Sequence, residues 1–129
     1  PYGEREILSK LSNVSFEVFG FEHLTDPNNV KEDEKEQARL ALRASASATR
    51  SGNYDLVILD EINVASAWKL VDVQDVVDII SAKPASVEVV LTGRYADERI
   101  MQAADLVTNM DEVNHPYRKG IEARKGIEY

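Results

Sequence analysis

The sequence predicts an α/β fold, a mostly parallel sheet flanked by helices, and three observations carry that expectation. Apolar runs of strand length alternate with helix-forming segments, the order that yields parallel strands joined by right-handed crossovers. The clearest run, Tyr54-Asp55-Leu56-Val57-Ile58-Leu59-Asp60, has the apolar density of a parallel strand buried on both faces. Polar or glycine-bearing junctions follow each predicted strand, and in open α/β sheets ligands bind at those carboxyl ends.

The elements follow in order. Asn13-Val14-Ser15-Phe16-Glu17-Val18-Phe19 is β-rich, partly alternating and bounded by Gly20, which predicts a first strand. Residues 29–50 are rich in Ala, Leu, Glu, Lys and Arg without Gly or Pro, which predicts a helix closed by Gly52. Its acidic start (Glu32, Asp33, Glu34, Glu36) and later arginines suit the helix dipole, so the acidic run reads as a solvated helix start. Residues 54–60 form the next strand. Asp72 then caps a helix whose stripe is Val73, Val76, Val77 and Ile80, ended by Lys83-Pro84. Ser86–Thr92 is a further strand, Asp97 caps a short helix through Ala104, and residues 103–108 lead into a last strand. The tail from Arg118 carries two glycines and reads as irregular.

Composition narrows the function classes. The 129 residues suit a single domain, and 29% charged residues are ordinary for a globular protein. A net charge of −8 repels nucleic acid and anionic lipid, so neither is an expected partner. No apolar stretch approaches the ~20 residues needed to cross a bilayer. With no cysteine there is no disulfide or thiolate chemistry, and the expected location is cytoplasmic.

The chemistry concentrates at one predicted rim. Asp60-Glu61 end a buried strand in the way P-loop enzymes hold the water shell of a magnesium ion beside nucleotide phosphates. Gly20-Phe21-Glu22-His23, Thr92-Gly93-Arg94 and Asn109-Met110-Asp111 end the other strands at the same edge. Arg94 could steady negative charge on phosphate oxygens. Plainer roles exist for each: Asp60 and Glu61 as caps, Arg94 as a partner for a neighbouring acid, Trp68 as packing. His23 and His115 lack ligand spacing, which argues against a metal role for either. No G-x-x-x-x-G-K-[ST] occurs in these residues, so the phosphate-cradling half of such a site is missing from them.

Taken in order, residues 54–63, Val87-Glu88-Val89-Val90-Leu91-Thr92-Gly93-Arg94, Ala104-Asp105-Leu106-Val107-Thr108, His115-Pro116-Tyr117 and the closing Gly120–Tyr129 carry a family resemblance. The chain resembles the P-loop type of ATP:corrinoid adenosyltransferase over essentially its whole length, and the Gly-Ile-Glu-Tyr ending is the most specific part. Gly3-Glu4-Arg5 and the Gly20-Phe21 turn fit as well.

The resemblance implies a RecA-like (P-loop NTPase type) sheet that binds ATP with magnesium and presents a reduced corrinoid above it. Co(I) attacks the 5′ carbon of ATP, forming a cobalt–carbon bond and releasing triphosphate. By position, Glu61 would ligate magnesium with Asp60 in support, Arg94 would lie near the nucleotide, and Phe21 would pack on the corrin face. His23 stands where some members carry tryptophan. A homodimer and a flavin-type reductant protein are the implied partners. The family's N-terminal strand, P-loop, helix and second strand have no counterpart in these residues, so the 129-residue chain is expected to bind MgATP weakly and to be inactive alone. The other readings are a non-catalytic corrinoid-binding or regulatory module and a generic P-loop ATPase fragment. Corrinoid binding without ATP turnover selects the first, and no corrinoid binding favours the second.

Overall fold

The computed structural model describes residues 3–127, so Glu128 and Tyr129 of the closing motif lie outside the described residues. Two units divide the chain: residues 19–107 form one, and residues 1–18 with 108–129 form the other.

In the larger unit, helix α2 (Glu32–Arg50) precedes strand β1 (Leu56–Leu59), followed by α3 (Ile62–Ala67), α4 (Val73–Ala82), β2 (Glu88–Leu91) and α5 (Glu98–Ala103). β1 and β2 pair in parallel, with Leu56 opposite Glu88 and Leu59 opposite Leu91. The α/β expectation therefore holds, with a two-stranded sheet among the described residues. Several local signals behave as read. Asp72 Oδ1 accepts the Gln74 N–H at 2.7 Å to cap α4, and Asp97 accepts the Arg99 N–H at 2.9 Å to cap α5. α2 starts at Glu32, three residues later than expected, and Gly52 follows its Ser51 cap with φ +73°. The α2 acids do form a solvated lattice, with Arg39 on Glu32 at 2.9 Å and Arg43 on Glu36 at 2.7 Å.

One face of the sheet carries the core. Leu59 packs with Leu42 of α2, Ile62 of α3, Val76 and Ile79 of α4, and Ile100 of α5, while Val57, Val89 and Leu91 close around them. Val76 is completely buried, a placement that contributes roughly 1.5–3 kcal/mol. The opposite face corrects the reading of β1 as buried on both sides. Leu56, Ile58 and Val90 alternate with the core residues and stand exposed, because the helices named above pack on the other side.

Two expected strands are absent. Neither residues 13–19 nor residues 103–108 form a ladder; α5 runs through Ala103 and the chain then lacks regular structure as far as residue 115. β-propensity describes side chains that fit a half-buried pleated surface. Here Val18 and Leu106 are exposed, and β1 and β2 pair with each other. Alternation without a neighbouring strand leaves no ladder to form.

The smaller unit holds helix α1 (Gly3–Leu8) and a 3-10 turn, Pro116–Lys119. His115 Nδ1 accepts the Tyr117 N–H at 3.1 Å, which gives that histidine a capping role. Arg118 pairs with Glu112 at 2.7 Å.

Candidate functional site

Parallel pairing brings the carboxyl ends of β1 and β2 side by side, and Thr92 joins them. Its hydroxyl donates to Asp60 Oδ1 at 2.6 Å and accepts the Glu61 N–H at 2.9 Å. The backbone continues the link. Thr92 N–H donates to the Leu59 carbonyl, and the Thr92 carbonyl accepts from Asn63 N–H, each at 3.2 Å. Asp60 and Glu61 are exposed even though the strand end beneath them is buried at Leu59.

Glu61 holds an unusual backbone. It sits in the left-handed region (φ 57°, ψ 19°) at the N-cap of α3, a conformation costly for a residue with a side chain. Gly93 makes the turn possible. A Cβ there would lie 3.2 Å from Glu61 Cα, 3.2 Å from Glu61 Oε2 and 3.3 Å from Val64 N, and Gly93 itself has φ +113°. Asn63 fastens the other side, donating from Nδ2 to the Gly93 carbonyl at 3.3 Å, while its buried Oδ1 has no protein partner.

Arg94 follows on the same loop. Its guanidinium carbon lies 5.5 Å from the centre of the Tyr95 ring, within cation–π range, and Tyr95 is left-handed at φ 65°. The loop thus sets Arg94 between two left-handed residues just beyond the carboxylates.

Phe21 and His23 form a separate cluster. Their rings stack with centroids 5.3 Å apart and planes 12° apart. His23 Nε2 meets Glu34 Oε1 at 3.2 Å, and Glu34 Oε2 accepts the Lys31 N–H at 2.7 Å at the start of α2. Glu34 is the exception to the solvated acidic run, with a side chain only 5% exposed. The Lys31 N–H holds its carboxyl below the usual glutamate range; desolvation opposes this, and hydrogen bonds from Thr25 and His23 add to it. Sequence reading missed Glu34 because Lys31 occupies the N-cap where a capping box calls for Ser or Thr. The spacing from N-cap to N3 was the one available signal.

Among the described residues no group of three or more His, Cys, Asp and Glu gathers to cage a metal. The donor set is instead two adjacent exposed carboxylates, which suits magnesium, an ion that keeps several waters and takes one or two carboxylates beside phosphates.

Fold and site together define an α/β protein with a carboxylate pair latched across the carboxyl ends of adjacent parallel strands, the position at which such sheets bind ligands. The chain belongs to the ATP:corrinoid adenosyltransferase BtuR/CobO/CobP family, whose model matches residues 1–129. It is 37% identical to a corrinoid adenosyltransferase of Sinorhizobium sp over 98% of this chain and 60% of that protein. A corrinoid adenosyltransferase of Pseudomonas aeruginosa is 35% identical over 90% of this chain and 57% of its own length. One from Escherichia coli strain K12 is 28% identical over the whole of this chain and 65% of that protein. The chain therefore spans about three-fifths of the length of these relatives.

Proposed function

We propose that residues 1–129 form one adenosyltransferase-like domain of RecA-like type, serving transfer of the 5′-deoxyadenosyl group of ATP to the cobalt of a reduced corrinoid. The observation that supports it most is the Thr92 relay, which fixes Asp60 and Glu61 as a pair beside Gly93 and Arg94. In this reading Glu61, with Asp60 in support, holds magnesium. That ion supplies Lewis-acid neutralisation of the triphosphate as it leaves. Arg94 adds a cation for the phosphate oxygens. Phe21 and His23 contact the corrin and exclude water from the cobalt, where the nucleophilic Co(I) displaces triphosphate from the 5′ carbon. Protein chemistry is then mostly positioning and electrostatic support. A cytoplasmic location, a homodimer and a flavin-type reductant protein complete the reading. No helix among the described residues is long and apolar enough to cross a membrane.

The test uses this chain supplied with the family's P-loop strand and helix. Glu61→Gln should lower adenosyl transfer by roughly two orders of magnitude or more while the melting temperature holds. Unchanged turnover at saturating magnesium would remove Glu61 from the metal. The 129-residue chain alone should bind MgATP weakly, and micromolar affinity by calorimetry would mean that the phosphates find another cradle. Phe21→Ala should reduce adenosylation begun from Co(II) far more than adenosylation of pre-reduced Co(I). An equal loss of both rates with a large drop in melting temperature would make Phe21 a packing residue.

A further inference from the structure

The Glu34–His23–Phe21 cluster has a chemical polarity that packing alone does not require. The two oxygens of Glu34 divide their work: Oε2 takes the Lys31 N–H at 2.7 Å and Oε1 meets His23 Nε2 at 3.2 Å. An ionised carboxylate accepts hydrogen bonds and donates none, so the ring nitrogen facing it must carry the proton. Neutral His23 is then the Nε2–H tautomer, and its Nδ1 carries a bare lone pair. The imidazole stays half open to solvent, at 51% exposure, although its partner carboxylate is buried. Its plane is set by Phe21, stacked nearly parallel at 12°.

We propose that Glu34 is a positioning residue that fixes His23 as the Nε2–H tautomer, flat on Phe21, and so presents Nδ1 as a hydrogen-bond acceptor to a carboxamide on the corrinoid rim. This rests on the proposed function for the identity of the ligand. It adds to that reading a residue outside the ring pair and a preference in the substrate. A rim amide offers an N–H to Nδ1, whereas a rim carboxylate offers only lone pairs and meets the Glu34 charge behind the ring. Amidated corrinoids are therefore favoured over those with free carboxylates at the contacted position.

The experiment combines nitrogen-15 NMR of the histidine rings with anaerobic absorbance titration of Co(II) cobinamide, an amidated corrinoid, into the 129-residue chain near pH 7.5. Wild-type His23 should show the Nε2–H pattern. Glu34→Gln should invert it. The Lys31 N–H requires the amide oxygen, so the amide NH2 turns to His23, Nε2 becomes the acceptor and the proton moves to Nδ1. A rim carboxamide can then turn its oxygen to the new Nδ1–H, so cobinamide affinity should change by less than about threefold. His23→Phe, which keeps a stacked ring and removes the hydrogen-bonding nitrogen, should lose cobinamide affinity roughly tenfold, the scale of one hydrogen bond, and protects the test if Glu34→Gln fails to fold.

A mixed or Nδ1–H pattern in the wild type overturns the proposal, as does an unchanged pattern in Glu34→Gln. So does cobinamide affinity that depends on Phe21 yet ignores His23→Phe. Electron paramagnetic resonance showing nitrogen coupling from His23 to Co(II) would also overturn it, since Nδ1 would then ligate the metal. Failure of the underlying functional reading has a different signature: cobinamide that does not bind, or whose affinity is indifferent to Phe21→Ala, while the His23 tautomer remains as stated.

Discussion

The strand-end pair and the ring cluster are both organised by a carboxylate, and they differ in where that carboxylate sits. Asp60 and Glu61 stand in solvent, held in place from behind by the Thr92 hydroxyl and by the left-handed turn at Glu61. Glu34 is enclosed, with a backbone N–H on one oxygen and a histidine on the other. An exposed pair keeps its hydration and remains free to take up a hydrated cation with its phosphates. An enclosed carboxylate has given up its water for fixed donors, so it can orient a neighbour but cannot itself receive a ligand. In the proposed reading the same functional group serves reception at one site and orientation at the other.

Gly93→Ala breaks the first site most severely. The added Cβ meets Glu61 Cα and Val64 N, both backbone or near-backbone atoms that cannot swing away, and φ +113° is itself unfavourable for alanine. We expect a loss of about 1–3 kcal/mol in urea denaturation, the range for a residue forced into such a conformation. A neutral result would mean that the Glu61 turn relaxes freely and that the exposed pair is not held in place as the enclosed Glu34 is.

Thr92→Val sharpens the comparison at smaller cost. It keeps the branched shape for the strand and removes the hydroxyl that bridges Asp60 to the Glu61 N–H. About 1 kcal/mol should be lost, with a larger effect on magnesium-dependent turnover in a chain carrying the P-loop segment. Equal turnover would show that Asp60 and Glu61 need no bridge.

How far the sequence disclosed this follows the range of the interactions involved. The caps at Asp72 and Asp97 and the left-handed Gly52 beyond α2 depend on neighbours a few residues away, and they were readable. Asp60, Glu61 and Arg94 were readable as candidates because parallel strands bring their carboxyl ends together. The Thr92 relay spans more than thirty residues of chain and leaves no local mark beyond a threonine at a strand end. Residues 13–19 and 103–108 have strand character without a ladder, since pairing is a property of two segments. Glu34 was hidden by its lysine N-cap, and a window of acids around it suggested only a solvated face.

Acid titration tests the enclosed site. Glu34 has its folded-state value pulled below the ordinary 4.5, chiefly by the Lys31 N–H, so its contribution is present above that value. It is lost as pH falls through the lower folded value. Stability should therefore decline below about pH 4.5 in the wild type, and Glu34→Gln should start lower at neutral pH and decline less. Glu32 is also depressed, first by its hydrogen bond from Arg39, but it lies on an exposed face. Moderate salt should weaken the Glu32 part and leave the Glu34 part. An acid limb unchanged in Glu34→Gln would mean that the buried carboxylate is not held ionised.

The smallest expected effect separates strain kept for the site from strain that is incidental. Helix α3 is bracketed by two left-handed residues with side chains, Glu61 at φ 57° and Lys69 at φ 59°. Lys69 closes the helix in a Schellman motif, with Leu70 N–H on the Ala65 carbonyl at 2.9 Å and Lys69 N–H on Ser66 at 3.0 Å, a place that favours glycine. Lys69→Gly should therefore stabilise the chain by about 0.5 kcal/mol, the left-handed penalty less the entropy glycine brings to the unfolded state. It should leave adenosyl transfer untouched in a chain that carries the P-loop segment. Glu61→Gly relieves the same backbone penalty and should be no less stable, yet on the proposed reading, in which Glu61 holds the metal, it should abolish turnover. Urea midpoints at constant slope would read both changes. If Glu61→Gly proved destabilising, contacts of the Glu61 side chain over Gly93 would be holding the turn, and the carboxylate would belong to the fold as well as to the site.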